Sequence, residues 1–153
     1  MDKTVPASPL AAHLGYWMRF VSNHVSHAFR LKVEAYGVTV AEWVVLRQLL
    51  DESPTRPSLL AERLEMTRGA ISKLLERLEA KRCVVRSSAE GDRRYQSVRL
   101  TPVGRRLIPA LAALADANDA EFFGHLSSDE RQALMRTLQE IVSHSALQGV
   151  PVD

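Results

Sequence analysis

A mainly helical fold carrying one small β-wing, of the α+β class, is predicted by three observations. Apolar residues recur with helical periodicity over most of the 153 residues. A helix, a tight turn and a second helix are legible in LAERLEMTRGAISKLLERL from Leu60, and two strand-like runs follow at once in VVRSSAEGDRRYQSVRLT. A short basic helix followed directly by a basic hairpin is the layout of a winged helix-turn-helix, which reads duplex DNA with the helix and grips its flank with the wing. The winged lobe is expected over residues 36–101, with helical dimerisation elements over residues 8–35 and 102–147.

The elements follow in order. Leu10 to about Ala35 reads as one long helix with Leu10, Leu14, Trp17, Val21, His24, Ala28 and Leu31 along a stripe, and Gly37 suits the position just past its end. Thr39 and Glu42 form a capping box for a second helix to about Asp51, with Val38 and Trp43 stapling its start. Pro54 and Pro57 punctuate a loop, and Ser58 caps a third helix through Leu64. Glu65 and Met66 make the turn. Thr67 caps the fourth helix, whose buried stripe is Ile71, Leu74, Leu75 and Leu78. Cys83–Ser87 and Tyr95–Leu100 alternate as strands around Gly91. Thr101 and Pro102 start a fifth helix to about Gly124, and Ser127 with Glu130 opens a sixth bearing Leu134, Leu138, Ile141 and Val142 on one face. The first, fifth and sixth helices carry more apolar stripe than a small reader needs to cover itself. That surplus points to a two-fold dimer, which sets two recognition helices one DNA turn, about 34 Å, apart.

Charge locates the partner. From Arg56 to Arg106 there are thirteen Lys or Arg against six Asp or Glu, whereas the remainder carries seven against twelve. A basic segment on an acidic support is the arrangement of a polyanion binder. No run approaches the ~18 apolar residues of a membrane span, and the first twenty residues lack the apolar core of a signal peptide, so a cytoplasmic protein without membrane partners is expected. The single cysteine, Cys83, excludes an intramolecular disulfide and fits a reducing compartment. No phosphate-binding glycine loop, H-E-x-x-H pattern or supported Ser, His and Asp set is present, so no enzyme and no cofactor is expected.

The segment DRRYQSVRLTPVG, Asp92 to Gly104, together with LAERLEMTRGAISKLLERLEAK, resembles the MarR (multiple antibiotic resistance regulator) transcription factors, and the resemblance spans roughly Leu10 to Leu147. It implies six helices and a two-stranded wing, with the first, fifth and sixth helices joining two subunits. Arg94 would enter the minor groove, where negative potential is concentrated, and Asp92 would hold that arginine by a salt bridge, with Arg93 beside them at the wing tip. Thr67, Arg68, Gly69, Ser72, Lys73 and Arg77 would face the major groove, with Ser58 on the adjoining helix. Arg68 is placed for a base edge such as guanine, and Lys73 and Arg77 for phosphates. The chain departs from the family at Arg82 and Cys83, where members commonly carry Gly-Leu.

The resemblance implies a repressor of a pseudo-palindromic operator, relieved by a small aromatic or phenolic acid held between the dimer helices and the DNA-reading lobe. Candidates for that pocket are Tyr16, Trp17, His24, His27, Trp43 and Arg47, with core packing as the other reading of the aromatic residues. Two alternative signals stay open. Some relatives use a reactive cysteine, although in the first helix, and Arg82 and Arg86 would lower the Cys83 pKa if the thiol were exposed; a small buried hydrophobe is the ordinary reading. His24 and His27, three residues apart, have a spacing that can share a metal, but no completing ligands stand nearby and no metal site is assigned. A winged domain serving only protein contacts is the remaining alternative.

Overall fold

A computed structural model describes residues 5–89 and 92–149, with wing side chains described to Ser88 and again from Gln96. The described elements run α1 (Leu14–Glu34), α2 (Val40–Glu52), α3 (Pro57–Arg63), α4 (Arg68–Ala80), β1 (Val84–Ala89), β2 (Asp92–Leu100), α5 (Pro102–Phe123) and α6 (Ser128–His144). This is the helical fold with a β-wing that the sequence predicts.

Four helix starts are fixed by side chains. Thr39 Oγ1 accepts the Glu42 amide at 3.1 Å while Glu42 Oε2 accepts the Thr39 amide at 3.3 Å. Ser127 and Glu130 repeat this box at α6. Thr67 and Thr101 accept the amides of Ala70 and Gly104, each at 3.1 Å. Such caps satisfy amides that have no partner within the helix and contribute about 1 kcal/mol each. Gly37, just beyond α1, has φ +78°, a conformation that costs glycine nothing.

Two helix starts differ from the sequence expectation. The first helix is interrupted: Leu10–Ala12 form a single 3-10 turn, His13 is extended, and α1 begins at Leu14. The Trp17 indole donates to Ala11 O at 2.9 Å, and this bond folds the leading turn back on α1. Ser58 does not cap α3. The cap position is Arg56, with Pro57 as the first helical residue, so Ser58 already lies inside the helix. Proline's fixed φ starts a helix without a capping side chain, and its nitrogen has no hydrogen to satisfy.

The core joins α2, α3, α4, the wing root and the facing ends of α1 and α5. Val33, Leu46, Leu49, Leu60, Ile71, Leu78 and Leu111 are wholly buried in it. Burial of each such side chain is worth roughly 1.5–3 kcal/mol. β1 and β2 pair antiparallel, Val84 opposite Leu100 and Arg86 opposite Val98. On the other edge of β2, Thr55 and Val98 exchange backbone hydrogen bonds of 2.8 and 2.9 Å, and Ser53 Oγ accepts the Leu100 amide. The wing root is therefore clamped between β1 and the α2–α3 loop.

The outer helices are different. α6 buries none of its residues and α1 only Val33. Leu14, Trp17, Met18, Phe20 and Val21 on α1, and Leu134, Met135, Ile141 and Val142 on α6, are exposed. An apolar groove of about 760 Å³ runs between them and the end of α5.

Candidate nucleic-acid interface

The sequence of α4 separates its two faces. Ile71, Leu74, Leu75 and Leu78 fall on one side and pack into the core, which turns Arg68, Gly69, Ser72, Lys73 and Arg77 to the outside, all of them exposed. Thr67, also exposed, spends its hydroxyl oxygen on the cap. A methyl group at Gly69 would meet nothing within 4 Å, so the backbone at the start of α4 is open to solvent. That end of a helix carries partial positive charge from its aligned peptide dipoles, and Arg68 adds a full one.

Folding gathers residues that lie far apart in sequence. A recess of about 180 Å³ is lined by Pro57 and Ser58 of α3, Arg68, Ser72 and Leu75 of α4, and Arg86 and Gln96 of the wing strands. Ser58, Arg68 and Ser72 were expected here from sequence, whereas Arg86 and Gln96 were not. Alternation within β1 marks Arg86 as one face of a strand but does not say which helix that face meets. A second groove, along α3, brings Arg56 beside Ser58 and Arg68. The side chains of Asp92, Arg93 and Arg94, with the expected Asp92–Arg94 salt bridge, lie outside the described residues.

The C-terminal end of α4 is tied in three directions. Glu79 accepts the Arg86 backbone amide at 3.0 Å and its guanidinium at 3.2 Å, joining helix to wing. Those hydrogen bonds, from the side chain first and then the backbone, hold the Glu79 carboxyl below its ordinary pKa. Lys81 Nζ donates to Glu42 Oε2 at 2.6 Å and to Gly37 O at 2.7 Å, and Glu42 is only 1% exposed. Thr101 donates its hydroxyl to Arg82 O at 2.6 Å and its amide to Cys83 O at 3.0 Å, docking the start of α5. A Cβ on Gly104 would sit 2.2 Å from Cys83 O, so this approach requires glycine. Arg82 itself has φ +61°, a left-handed conformation that costs a side-chain-bearing residue roughly 1–2 kcal/mol.

Residues 36–94 match the family model described as MarR family. The transcriptional regulator HosA of Escherichia coli O127:H6 is 26% identical over 117 residues, covering 76% of this chain and 87% of HosA. The regulator SarZ of Staphylococcus epidermidis is 27% identical over 139 residues, covering 91% and 93%. The chain is similar to MarR-family transcriptional regulators. Solved structures carry the same fold at 24% identity. CouR from Rhodococcus jostii RHA1, bound to p-coumaroyl-CoA, superposes with a TM-score of 0.73 over 88% of this chain and 95% of CouR. A mutant MarR from Escherichia coli complexed with operator DNA gives 0.73 over 84% and 93%. BpsR of Bordetella bronchiseptica, whose DNA binding is regulated by 6-hydroxynicotinic acid, gives 0.74 over 89% and 97%.

The six residues expected from sequence to form a ligand pocket do not share one cavity. Trp43 lines a cavity of about 300 Å³ between α1, α2 and α5, with Val25, Phe29, Val44 and Asn118. Buried Asn118 donates to Val25 O and accepts from Lys32, closing the α1–α5 side. Trp17 and His24 line the separate apolar groove between α1 and α6, where His24 stacks on Phe20. Tyr16 packs edge-on against Trp17, His27 accepts from Arg30, and Arg47 pairs with Asp51; all three are exposed. Phe29 and Asn118 were missed because only the packing of α5 on α1 brings them beside Trp43.

Cys83 is 3% exposed, and burial raises its thiol pKa while Lys81 partly offsets the rise. The thiol is not exposed, so the condition under which Arg82 and Arg86 would lower its pKa is not met; Arg86 is paired with Glu79, and Cys83 is the small buried residue of the ordinary reading. Among the described residues no group of three or more His, Cys, Asp or Glu is placed to hold a metal ion, and no helix is long and apolar enough to cross a membrane.

Proposed function

We propose that the chain is a cytoplasmic homodimeric repressor of a pseudo-palindromic operator, released from DNA by a small aromatic acid. The observation that carries the DNA reading is the single basic face on which Ser58, Arg68 and Ser72 adjoin Arg86 and Gln96, with Lys73 and Arg77 exposed alongside. Each subunit inserts α4 into a major groove, Arg68 meets a base edge, Lys73 and Arg77 meet phosphates, and the wing tip with Asp92, Arg93 and Arg94 reaches the adjacent minor groove. Residues 36–101 act as the reading lobe, and residues 8–35 and 102–147 pair the subunits through the exposed stripes of α1 and α6.

The ligand half of the proposal rests on the cavity around Trp43, Phe29 and Asn118, whose largely apolar walls suit an aromatic ring and whose polar groups are Ser26, Asn118 and Asp119, the last already paired with Arg131. Release follows if the occupant binds the DNA-free arrangement more tightly than the DNA-bound one. The ligands named with CouR and BpsR, p-coumaroyl-CoA and 6-hydroxynicotinic acid, support an aromatic effector. The burial of Cys83 favours this signal over oxidation.

A mobility-shift assay on the DNA flanking the chain's own gene, repeated with a panel of aromatic carboxylates, tests both halves. Retardation is expected at low salt, weakening steeply as salt rises. Arg68→Glu and Lys73→Glu abolish it without changing the melting temperature. Absence of retardation by the native chain sinks the DNA reading, and retardation indifferent to every carboxylate sinks the effector.

A further inference from the structure

We infer that Lys81 is a positioning residue: by bridging Gly37 and Glu42 it fixes the tilt of the recognition helix against the dimer-forming helices, and with it the half-site spacing that the dimer accepts. The inference rests on the reading of the chain as a dimeric DNA-binding protein.

Lys81 is the first residue past α4. Its ammonium reaches Gly37 O at 2.7 Å, in the corner where α1 passes into α2, and Glu42 Oε2 at 2.6 Å, in the first turn of α2. Arg82 and Cys83, immediately following, are held by Thr101 at the start of α5. The C-terminal end of α4 is thus the place where the recognition helix meets the roots of both long helices that lead away from the lobe. The apolar stripe of α4 holds its depth in the core, but apolar contacts are non-directional and leave rotation weakly determined. A bidirectional polar clamp on a buried carboxylate supplies the missing direction.

Leverage makes this matter for DNA. The thirteen residues of α4 span about 20 Å, so a rotation of about 10° at the Lys81 end moves Arg68 by about 3.5 Å. That is close to the rise of one base pair, given about 34 Å for a turn of ten. A loosened clamp therefore lets the dimer accept operators whose half-sites are one base pair closer or farther when one subunit tilts, and two when both do. Lys81 has already committed donors to Gly37 and Glu42, and it lies at the opposite end of α4 from Arg68, which sets it apart from a phosphate contact.

The test is selection of duplexes from a library with a randomised core, using the full-length native protein, Lys81→Gln, Lys81→Arg and Glu42→Gln. The native dimer is expected to select duplexes of a single half-site spacing. Lys81→Gln, with native dimer mass and helix content, selects at least two adjacent spacings and binds the native duplex about tenfold more weakly. Lys81→Arg restores the single spacing. Should Lys81→Gln fail to fold, Glu42→Gln carries the same expectation, because glutamine still accepts the Thr39 amide. The inference is overturned if the folded variant keeps the single native spacing. A salt slope shallower by about two for the dimer, with spacing unchanged, would instead make Lys81 a phosphate contact. A native protein that selects no duplex overturns the DNA reading itself, and the inference with it.

Discussion

The winged lobe and the outer helices use the same kind of amphipathic sequence and reach opposite ends. α4 and α6 each carry one apolar stripe on an otherwise polar helix, yet α4 buries Ile71, Leu74, Leu75 and Leu78 while α6 buries nothing. Every buried apolar residue described lies between Val33 and Leu111. The lobe is closed by its own chain. The outer helices present Trp17, Phe20, Val21, Leu134 and Ile141 to solvent, an apolar surface of the kind that marks an interaction site. Periodicity says which face of a helix seeks cover; it does not say whether the cover comes from the same chain.

The sharpest way to break this contrast is to place charge on the outer stripe. Val21→Asp combined with Leu134→Asp is expected to halve the mass measured by light scattering and to weaken operator retardation by about a hundredfold or more, because the second half-site is no longer tethered to the first. Amide-exchange protection in α2 and α4 persists, since the lobe's core is elsewhere. The reverse experiment is Leu46→Ala, at a wholly buried position of the lobe. It should cost about 2–5 kcal/mol in denaturant unfolding and collapse α2 and α4 protection together.

A smaller effect tests the tie between helix and wing. Glu79 titrates below its ordinary value of 4.5 because it accepts from Arg86. A folded-state pKa below the unfolded one means stability present above 4.5 and lost as pH falls through the lower folded value. Glu79→Gln should thus lower the melting temperature slightly at neutral pH, with the pair partly exposed and worth less than about 1 kcal/mol. The gap between native and variant should close as the pH drops below 4.5. A gap independent of pH would mean that the charge of Glu79 contributes nothing. Smallest of all, Arg82→Gly relieves the left-handed strain at φ +61° and should stabilise the lobe by about 1 kcal/mol, measured as a raised urea midpoint at constant slope.

Local chemistry was legible in the sequence. The caps at Thr39, Thr67, Thr101 and Ser127 act within three residues, and the stripe of α4 within one helix, so each could be read in place. Ser58 misled because a capping residue type sat beside a proline that starts the helix without it. The long-range ties were not legible. Lys81 and Glu42 lie 39 residues apart, and neither neighbourhood marks the other as its partner. The ligand candidates scattered for a related reason. Trp17 and Trp43 are both half-covered aromatics on amphipathic helices, but only the packing of α1 on α5 sends one to the outer groove and the other to the inner cavity. At the recess beside α4 the sequence named the α4 residues and did not point to Arg86 and Gln96, which the wing strands bring in from outside the helix.

The pairing of Thr55 with Val98 has a consequence for unwanted assembly. Because Thr55 occupies one side of β2 and β1 the other, the strand is interior at that level of the sheet. Arg86 stands opposite Val98, and its amide, which would otherwise be offered to a passing strand, is taken by the Glu79 carboxylate. Open strand edges are templates for indiscriminate aggregation, and here the root of the wing is blocked on both flanks. A chain that displays so much apolar helix surface thereby avoids a second adhesive surface of a different kind.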